Sequence, residues 1–232
     1  MPGSGEMFDN IAQRYDFLNR VLSLGRDRAW RKKAVAALAL RSGSRVLDVA
    51  SGTGDMLLQA MRDEPAASGL GIDPSIHMLQ IARHKAIQAG VSQRVEFYQG
   101  DAMNLPFPDH SFDASVISFG IRNVPNRGRA LSEMARVTRP GGRVVILELS
   151  EPTKGALRRV ARFYIRQLVP RIGAWLASDD AYRYLKSSIV DFPKPDRFAD
   201  LMERSGLNTL DIQHLTFGVC VLFVGNPKVH VS

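Results

Sequence analysis

Residues 46–55 read VLDVASGTGD, and this stretch decides the fold. It opens with apolar, largely β-branched residues around an acid, Asp48. It turns through Ser51, Gly52, Thr53 and Gly54, and Asp55 then leads into an apolar helical pattern. The spacing predicts a buried strand, a glycine-rich turn and a helix start. Glycine tolerates unusual backbone angles and, lacking a Cβ, lets a ligand approach the main chain. The helix start leaves N–H groups unpaired and carries partial positive charge. The dinucleotide fingerprint G-x-G-x-x-G is incomplete: with Gly52 and Gly54 as its first two glycines, Leu57 stands at the third. A ligand-binding turn and an ordinary tight βα turn both remain open on this stretch alone.

Downstream, a helix runs to about Asp63, and Ser68 to Ile72 reads as a second strand ending at Asp73. An acid there is placed to accept hydrogen bonds from the two ribose hydroxyls of a nucleoside. It also suits the cap of the helix Ser75 to Ala89, and both roles can coexist. Arg94 to Tyr98 is a third strand, followed by GDAMNLPFPDHSFD. At its end the Asp101 carboxylate can accept from the amine of adenine, and Ala102 leaves room for the ring; the alternative is a loop-start acid. Phe112 to Phe119 is the fourth strand, with Ser118 near its top. A helix over Arg127 to Thr138 stops at Arg139-Pro140-Gly141-Gly142, and Arg143 to Leu149 is the fifth strand. The rhythm predicts a mostly parallel, doubly wound α/β sheet with ligands at the carboxyl ends of the strands.

Upstream, residues 7–24 and 28–40 have helical spacing, with Asp27 as the expected N-cap of the second helix. Tyr15 is the candidate for lying over a ligand. A helix over Thr153 to Leu168 sets Leu157, Val160, Ala161, Tyr164 and Leu168 against Arg158, Arg159, Arg162 and Arg166. Its basic face reads as solvated, or as a contact for anionic lipid. An aromatic-rich insertion follows to Phe192 and has the length of a lid. After a helix over Pro195 to Ser205, capped by Gly206, Leu207 to Leu215 and Thr216 to Val224 form a closing hairpin. That makes seven strands, the last antiparallel. The whole chain, 1–232, is expected to be one domain, with N-terminal helices (7–40) and an inserted helical lid (153–192).

The composition is that of a globular chain, 45% hydrophobic and 23% charged. Thirty-one Lys and Arg against 23 Asp and Glu leave a net charge of +8, which favours anionic partners without choosing among them. A lone cysteine, Cys220, excludes an internal disulfide, and the histidines have no metal spacing. Met1 to Glu6 is small and polar, so no signal peptide is expected, and no apolar run reaches a membrane span. A cytoplasmic setting fits.

The turn resembles the first motif of class I S-adenosylmethionine (SAM) methyltransferases. The chain as a whole resembles the quinone-biosynthesis C-methyltransferases, the demethylmenaquinone and polyprenyl-methoxy-benzoquinol family. The likeness is carried by FDNIAQRYDFLNRVLSLGRDRAWRKKAV, VLDVASGTGD, GIDPSIHML, GDAMNLPFPDHSFD, ISFGIRNV, LSEMARVTRPGG, LELSEP, AYRYLKSSI and FGVCVLFVG. Ser51, where glycine is expected, and Thr138-Arg139, where Leu-Lys is usual, depart from the pattern. The resemblance implies a SAM site lined by Thr53, Asp73, Asp101, Ala102 and Ser118. Asp48, Gly52 and Gly54 of the turn, with Tyr15, complete the expected cofactor set.

The implied reaction needs no metal. It methylates a ring carbon of a polyprenylated quinol, a demethylmenaquinol or a methoxy-benzoquinol, once the neighbouring hydroxyl loses its proton. Arg122 in FGIRNV is the expected catalytic group. Since arginine stays protonated, it is assigned to holding the quinolate oxygen or an ordered water, with Asn123 orienting it. The bland alternative for Arg122 is a structural ion pair at the sheet edge. Tyr182 and Tyr184, with Phe163 and Tyr164, are expected along the acceptor channel. The lipid tail implies peripheral contact with the inner face of an anionic membrane, by the protein alone, as a homodimer or in a biosynthetic complex. Competing readings are a methyltransferase of another small molecule and a non-catalytic SAM- or lipid-binding scaffold. A nucleic-acid methyltransferase ranks behind both, because the chain has no N/D-P-P-Y/F motif, no catalytic Pro-Cys and no RNA-binding module.

Overall fold

The computed structural model describes residues 20, 23, 25–150, 188 and 191–229. The expected helix over 7–24 with Tyr15, the helix over 153–168, and the lid with Tyr182 and Tyr184 lie outside or almost wholly outside these residues.

Strands β1 (Arg45–Val49), β2 (Ser68–Asp73), β3 (Val95–Gln99), β4 (Phe112–Ser118), β5 (Thr138–Leu149), β6 (Leu207–Leu215) and β7 (Cys220–Pro227) form one sheet. Their order is β3-β2-β1-β4-β5-β7-β6. The pairs among β1 to β5 are parallel, and β7 runs antiparallel to both β5 and β6. The described helices are α1 (Asp27–Ala37), α2 (Asp55–Asp63), α3 (Ile76–Gln88), α4 (Arg127–Val137) and α5 (Pro195–Arg204).

The sheet is covered on both faces, so its central strands read as nearly continuous apolar runs. Alternation along β1 sends Val46 into a core shared with α1, α2 and α3, and Leu47 and Val49 into a core shared with α4 and α5. Asp48, between Leu47 and Val49, therefore points to the α1–α3 side. On the other face Phe198 stacks 4.9 Å from Phe192 and 4.8 Å from Phe223, closing α5 onto β7. Fully burying each such ring stabilises by roughly 1.5–3 kcal/mol.

Several boundaries differ from the sequence reading: α1 ends at Ala37 rather than Leu40, β7 runs on to Pro227, and three further differences have a visible cause. Asp27 is the first residue of α1 rather than its N-cap, which is Arg26. Its carboxylate accepts from the Ser23 hydroxyl at 3.0 Å and lies 4.0 Å from Arg31. It still meets the positive helix end from within the first turn. Strand β5 begins at Thr138, which pairs with Phe112. The register then shifts, and pairing resumes between Arg143 and Ala114, so the Pro-Gly-Gly segment is a bulge inside the strand. Residues Thr216–Gly218 form a 3-10 turn, and β7 starts at Cys220.

β1 leads by crossovers to β2 and β3 on one side, while β4 leads to β5 on the other. The carboxyl ends of β1 and β4 thus flank the point where strand order reverses, where open α/β sheets hold ligands. Among the described residues no helix is long and apolar enough to cross a membrane.

Candidate active site

At that reversal point the backbone is in left-handed geometry on both strands. Ala50, after β1, has φ +52°, and Phe119, after β4, has φ +55°. Residues without the freedom of glycine hold such angles only where their surroundings enforce them, and such positions cluster at functional sites. Gly120 packs against Ala50 so closely that a Cβ on it would lie 2.8 Å from the Ala50 Cβ. The glycine turn then passes Gly52 at φ +54° and Gly54 at φ +80°, the N-cap of α2.

A cleft of about 550 Å³ opens beside this turn. Its lining includes Ala50, Gly52, Ile72, Asp73, Met78, Gly100, Asp101, Ala102, Met103, Phe119, Gly120, Asn123 and Val124. The volume is that of a small-molecule site. Asp73 ends β2; one carboxyl oxygen accepts from the Gly52 N–H at 2.8 Å and the other from the Ser75 N–H at 2.9 Å. The helix cap itself is Ser75, which accepts from the Met78 N–H. Asp73 thus ties the glycine turn to the start of α3. Asp101 follows β3, and its side chain accepts from the Met103 N–H at 2.8 Å.

Of the residues expected at the cofactor, Gly52, Asp73, Asp101 and Ala102 line this one cleft, with Asn123 opposite. Thr53, Gly54, Asp48 and Ser118 sit behind it. The Thr53 hydroxyl accepts from Lys85 Nζ at 3.0 Å, and the Ser118 hydroxyl accepts from Arg31 at 3.3 Å. Asp48 is fully buried, with the Leu57 backbone N–H as its hydrogen-bonding neighbour. Burial pushes its carboxyl up to about 8, with Asp73 adding to the rise and Arg31 pulling the other way. Asp55 contrasts with it. Burial would raise its carboxyl, but Arg31 and Lys85, whose Nζ is 2.7 Å away, outweigh that and hold it below its ordinary range.

The guanidinium of Arg122 is enclosed behind the cleft wall, where it pairs with the fully buried Glu148 and donates to the Phe119 carbonyl at 2.7 Å. Arg122 is not among the residues lining the cleft, so the geometry is the ion pair foreseen as its bland alternative. The polar group this segment turns to the cleft is Asn123, whose buried Oδ1 has no partner. Sequence reasoning did not single out Glu148, Arg31, Lys85 or Phe119. Each lies in or near a quoted motif, but only the fold brings Arg31 and Lys85 to Asp55, or Glu148 to Arg122. Among the described residues no group of three or more His, Cys, Asp or Glu could hold a metal ion.

The cleft fits SAM on its own geometry. No atom lies within 4 Å of where a Cβ on Gly52 would stand, so the backbone there is open to a ligand. The carboxylates Asp73 and Asp101 and the side-chain amide residue Asn123 line the same space.

The profile of the ubiE/COQ5 methyltransferase family matches residues 4–227. The demethylmenaquinone methyltransferase of Deinococcus radiodurans is 45% identical over 96% of this chain and 92% of its own length. The ubiquinone/menaquinone biosynthesis C-methyltransferase UbiE of Geobacter sulfurreducens is 42% identical over 95% of this chain and 86% of its own. Among solved structures, a chain of the complex between the Haloferax volcanii Trm112 methyltransferase activator and a methyltransferase superposes with a TM-score of 0.69. It is 21% identical, covering 96% of this chain and 98% of that one, which speaks to the fold alone.

Proposed function

We propose that this chain, which belongs to the ubiE/COQ5 methyltransferase family and is a SAM-dependent C-methyltransferase, methylates a ring carbon of a polyprenylated quinol. What supports this reading most is that relatives named for demethylmenaquinone and ubiquinone/menaquinone methylation match nearly the whole chain at 42–45% identity. The acceptor class is a demethylmenaquinol, a methoxy-benzoquinol, or both. The reading treats residues 1–232 as one methyltransferase domain, with N-terminal helices (7–40) and an inserted helical lid (153–192). The enzyme meets its acceptor at the inner membrane face, alone, as a homodimer or in a biosynthetic complex.

Bound SAM supplies an electrophilic methyl group on its sulfonium. Asp73 would hold the ribose hydroxyls and Asp101 the adenine amine, with Ala102 giving the ring room and Gly52 letting the cofactor approach the turn. The acceptor carbon becomes nucleophilic when its neighbouring hydroxyl loses a proton, so the protein must favour that loss and hold carbon and methyl in line. Asn123 lines the cleft, and its side-chain amide would orient the hydroxyl. Arg122 acts one layer back, as the positioning residue that holds the Phe119–Asn123 wall. The apolar share of the lining, Ile72, Met78, Phe119 and Val124, would exclude water from the site.

The test is methyl transfer from labelled SAM to short-chain demethylmenaquinol and methoxy-benzoquinol, each freshly reduced, with product mass and ring position determined. Transfer to a ring carbon of either upholds the reading, and the ratio of rates names the preferred acceptor. SAM binding with transfer to neither would move the enzyme to another small molecule.

A further inference from the structure

The turn between β6 and β7 lies at the same end of the sheet as the cleft, since Cys220 at its exit pairs with Leu149 at the carboxyl end of β5. Thr216, Phe217 and Gly218 have φ +45°, +58° and +86°, three left-handed residues in a row. Phe217 is 65% exposed. A non-glycine residue holds such an angle only where its surroundings fix it. Here the fixing comes from α1: the Trp30 indole N–H donates to the Thr216 hydroxyl at 2.9 Å, and the Val219 N–H donates to the Thr216 carbonyl at 3.2 Å. The Trp30 ring in turn lies 6.2 Å from Phe119, in the cleft wall. A strained turn thus holds an aromatic side chain out into solvent beside the cleft.

The charge next to it is basic. One helical turn either side of Trp30 stand Arg26, the N-cap of α1, and Lys33, both exposed, with exposed Ala29 between them in the same strip. The acid nearest Arg26 in sequence, Asp27, is buried and turned to Ser23 and Arg31, and the acid nearest Phe217, the exposed Asp211 six residues back on β6, accepts from Gln213. An exposed aromatic ring flanked by unburied cations matches a membrane interface, where apolar side chains enter the headgroup region and Lys or Arg meet anionic lipid.

We propose that the Thr216–Gly218 turn, with Phe217 as the inserted residue and Arg26 and Lys33 as the anion-facing strip, docks the enzyme on an anionic membrane surface with the cleft mouth alongside. The docking deepens the quinol reading and rests on it for the reason to visit a membrane. The contact itself is carried by Phe217 and the α1 strip.

The test floats the full chain with vesicles of phosphatidylcholine alone or mixed with phosphatidylglycerol. The wild type binds the mixed vesicles, and added salt weakens the binding. Phe217→Gly suits the left-handed backbone, so it folds, and its partitioning falls about tenfold, as expected for losing part of a buried aromatic. Arg26→Gln with Lys33→Gln lowers partitioning about tenfold as well and flattens the salt dependence. Equal partitioning of Phe217→Gly and wild type overturns the proposal, as does equal binding to neutral vesicles or binding to neither. Turnover of a short-chain, water-soluble quinol is measured in parallel and stays at the wild-type rate in both variants. Its absence in the wild type would overturn the quinol reading, while the vesicle result would still decide the docking.

Discussion

Arg122 and Glu148 form an ion pair sealed behind the cleft wall, with side chains 3% and 0% exposed. The Glu148 carboxylate also accepts the Arg122 backbone N–H at 3.2 Å, and the guanidinium reaches the carbonyl of left-handed Phe119. The pair therefore fixes the backbone that presents Phe119, Gly120 and Asn123 to the cleft. Glu148→Ala would leave a buried guanidinium uncompensated, at a cost of about 3–5 kcal/mol in urea unfolding. If the pair works through the wall, Glu148→Gln lowers turnover and raises acceptor KM in step with Arg122→Ala, while SAM affinity stays near wild type. Wild-type turnover in Glu148→Gln beside a collapse in Arg122→Ala would put Arg122 in direct contact with the acceptor.

Gly52 and Gly54 separate a binding effect from a packing effect. Both have positive φ, so alanine at either costs about 1 kcal/mol of backbone strain. A Cβ on Gly52 meets nothing within 4 Å in the protein and projects into open space, so Gly52→Ala loses SAM affinity out of proportion to its stability. A Cβ on Gly54 meets Ala82 at 3.0 Å and Phe97 at 3.2 Å, so Gly54→Ala adds roughly 1–3 kcal/mol of overpacking. Thermal unfolding beside calorimetric SAM titration reads both. Equal affinity loss per unit of stability in the two variants would contradict the assignment of Gly52 to the ligand.

The sheet was legible because buried strands leave uninterrupted apolar runs, as at Val144–Leu147, and because Gly206 and the Asp-Pro-Ser cap punctuate the helices. The mostly parallel, doubly wound character of the sheet followed from the βα rhythm. What stayed hidden depends on contacts between distant segments. The bulge at Thr138 exists because Phe112 pairs with it across the sheet before the register shifts. The Thr216–Gly218 turn is left-handed where local spacing continues the strand, and Trp30 from α1 holds it. Asp73 and Asp101 could be placed by counting to strand ends. The place of Arg122 could not, because its partner Glu148 lies 26 residues on, on a neighbouring strand.

Asp48 makes stability fall as pH rises. Its carboxyl is up at about 8 in the fold, through burial first, against an ordinary value of 3.8. Between those values the folded chain binds a proton that the unfolded chain has lost, so unfolding becomes easier by up to about 1.4 kcal/mol per pH unit. Below about pH 4 both states are protonated and the penalty vanishes. Asp48→Asn keeps the shape and removes the ionisation. The variant should match wild type at pH 4, exceed it at pH 7, and show a flatter dependence of the urea midpoint between. A parallel dependence in both proteins would mean that Asp48 does not titrate in this window.

Arg136 holds the loop that carries Asp101 toward the cleft. Its guanidinium forms a two-pronged pair with Glu133 at 3.0 and 2.8 Å and donates to the carbonyls of Leu105 and Phe107 at 3.0 and 2.7 Å. Glu133 in turn accepts the Leu105 N–H at 2.9 Å. A lysine offers one compact charge and cannot span these acceptors, so Arg136→Lys should cost roughly 2–3 kcal/mol. The hydrogen bond from Arg136 is also the first cause holding the Glu133 carboxyl below its ordinary value of 4.5. A depressed carboxylate contributes stability above that value and loses it as pH falls through the folded one. Acid unfolding of the wild type should therefore draw on this pair, and Arg136→Lys should lose less stability between pH 6 and pH 3. Because the loop runs back to Met103 and Asp101 in the cleft lining, the variant should also bind SAM more weakly with turnover at saturation little changed. A fall in saturated turnover with unaltered affinity would detach this network from the cofactor end of the cleft.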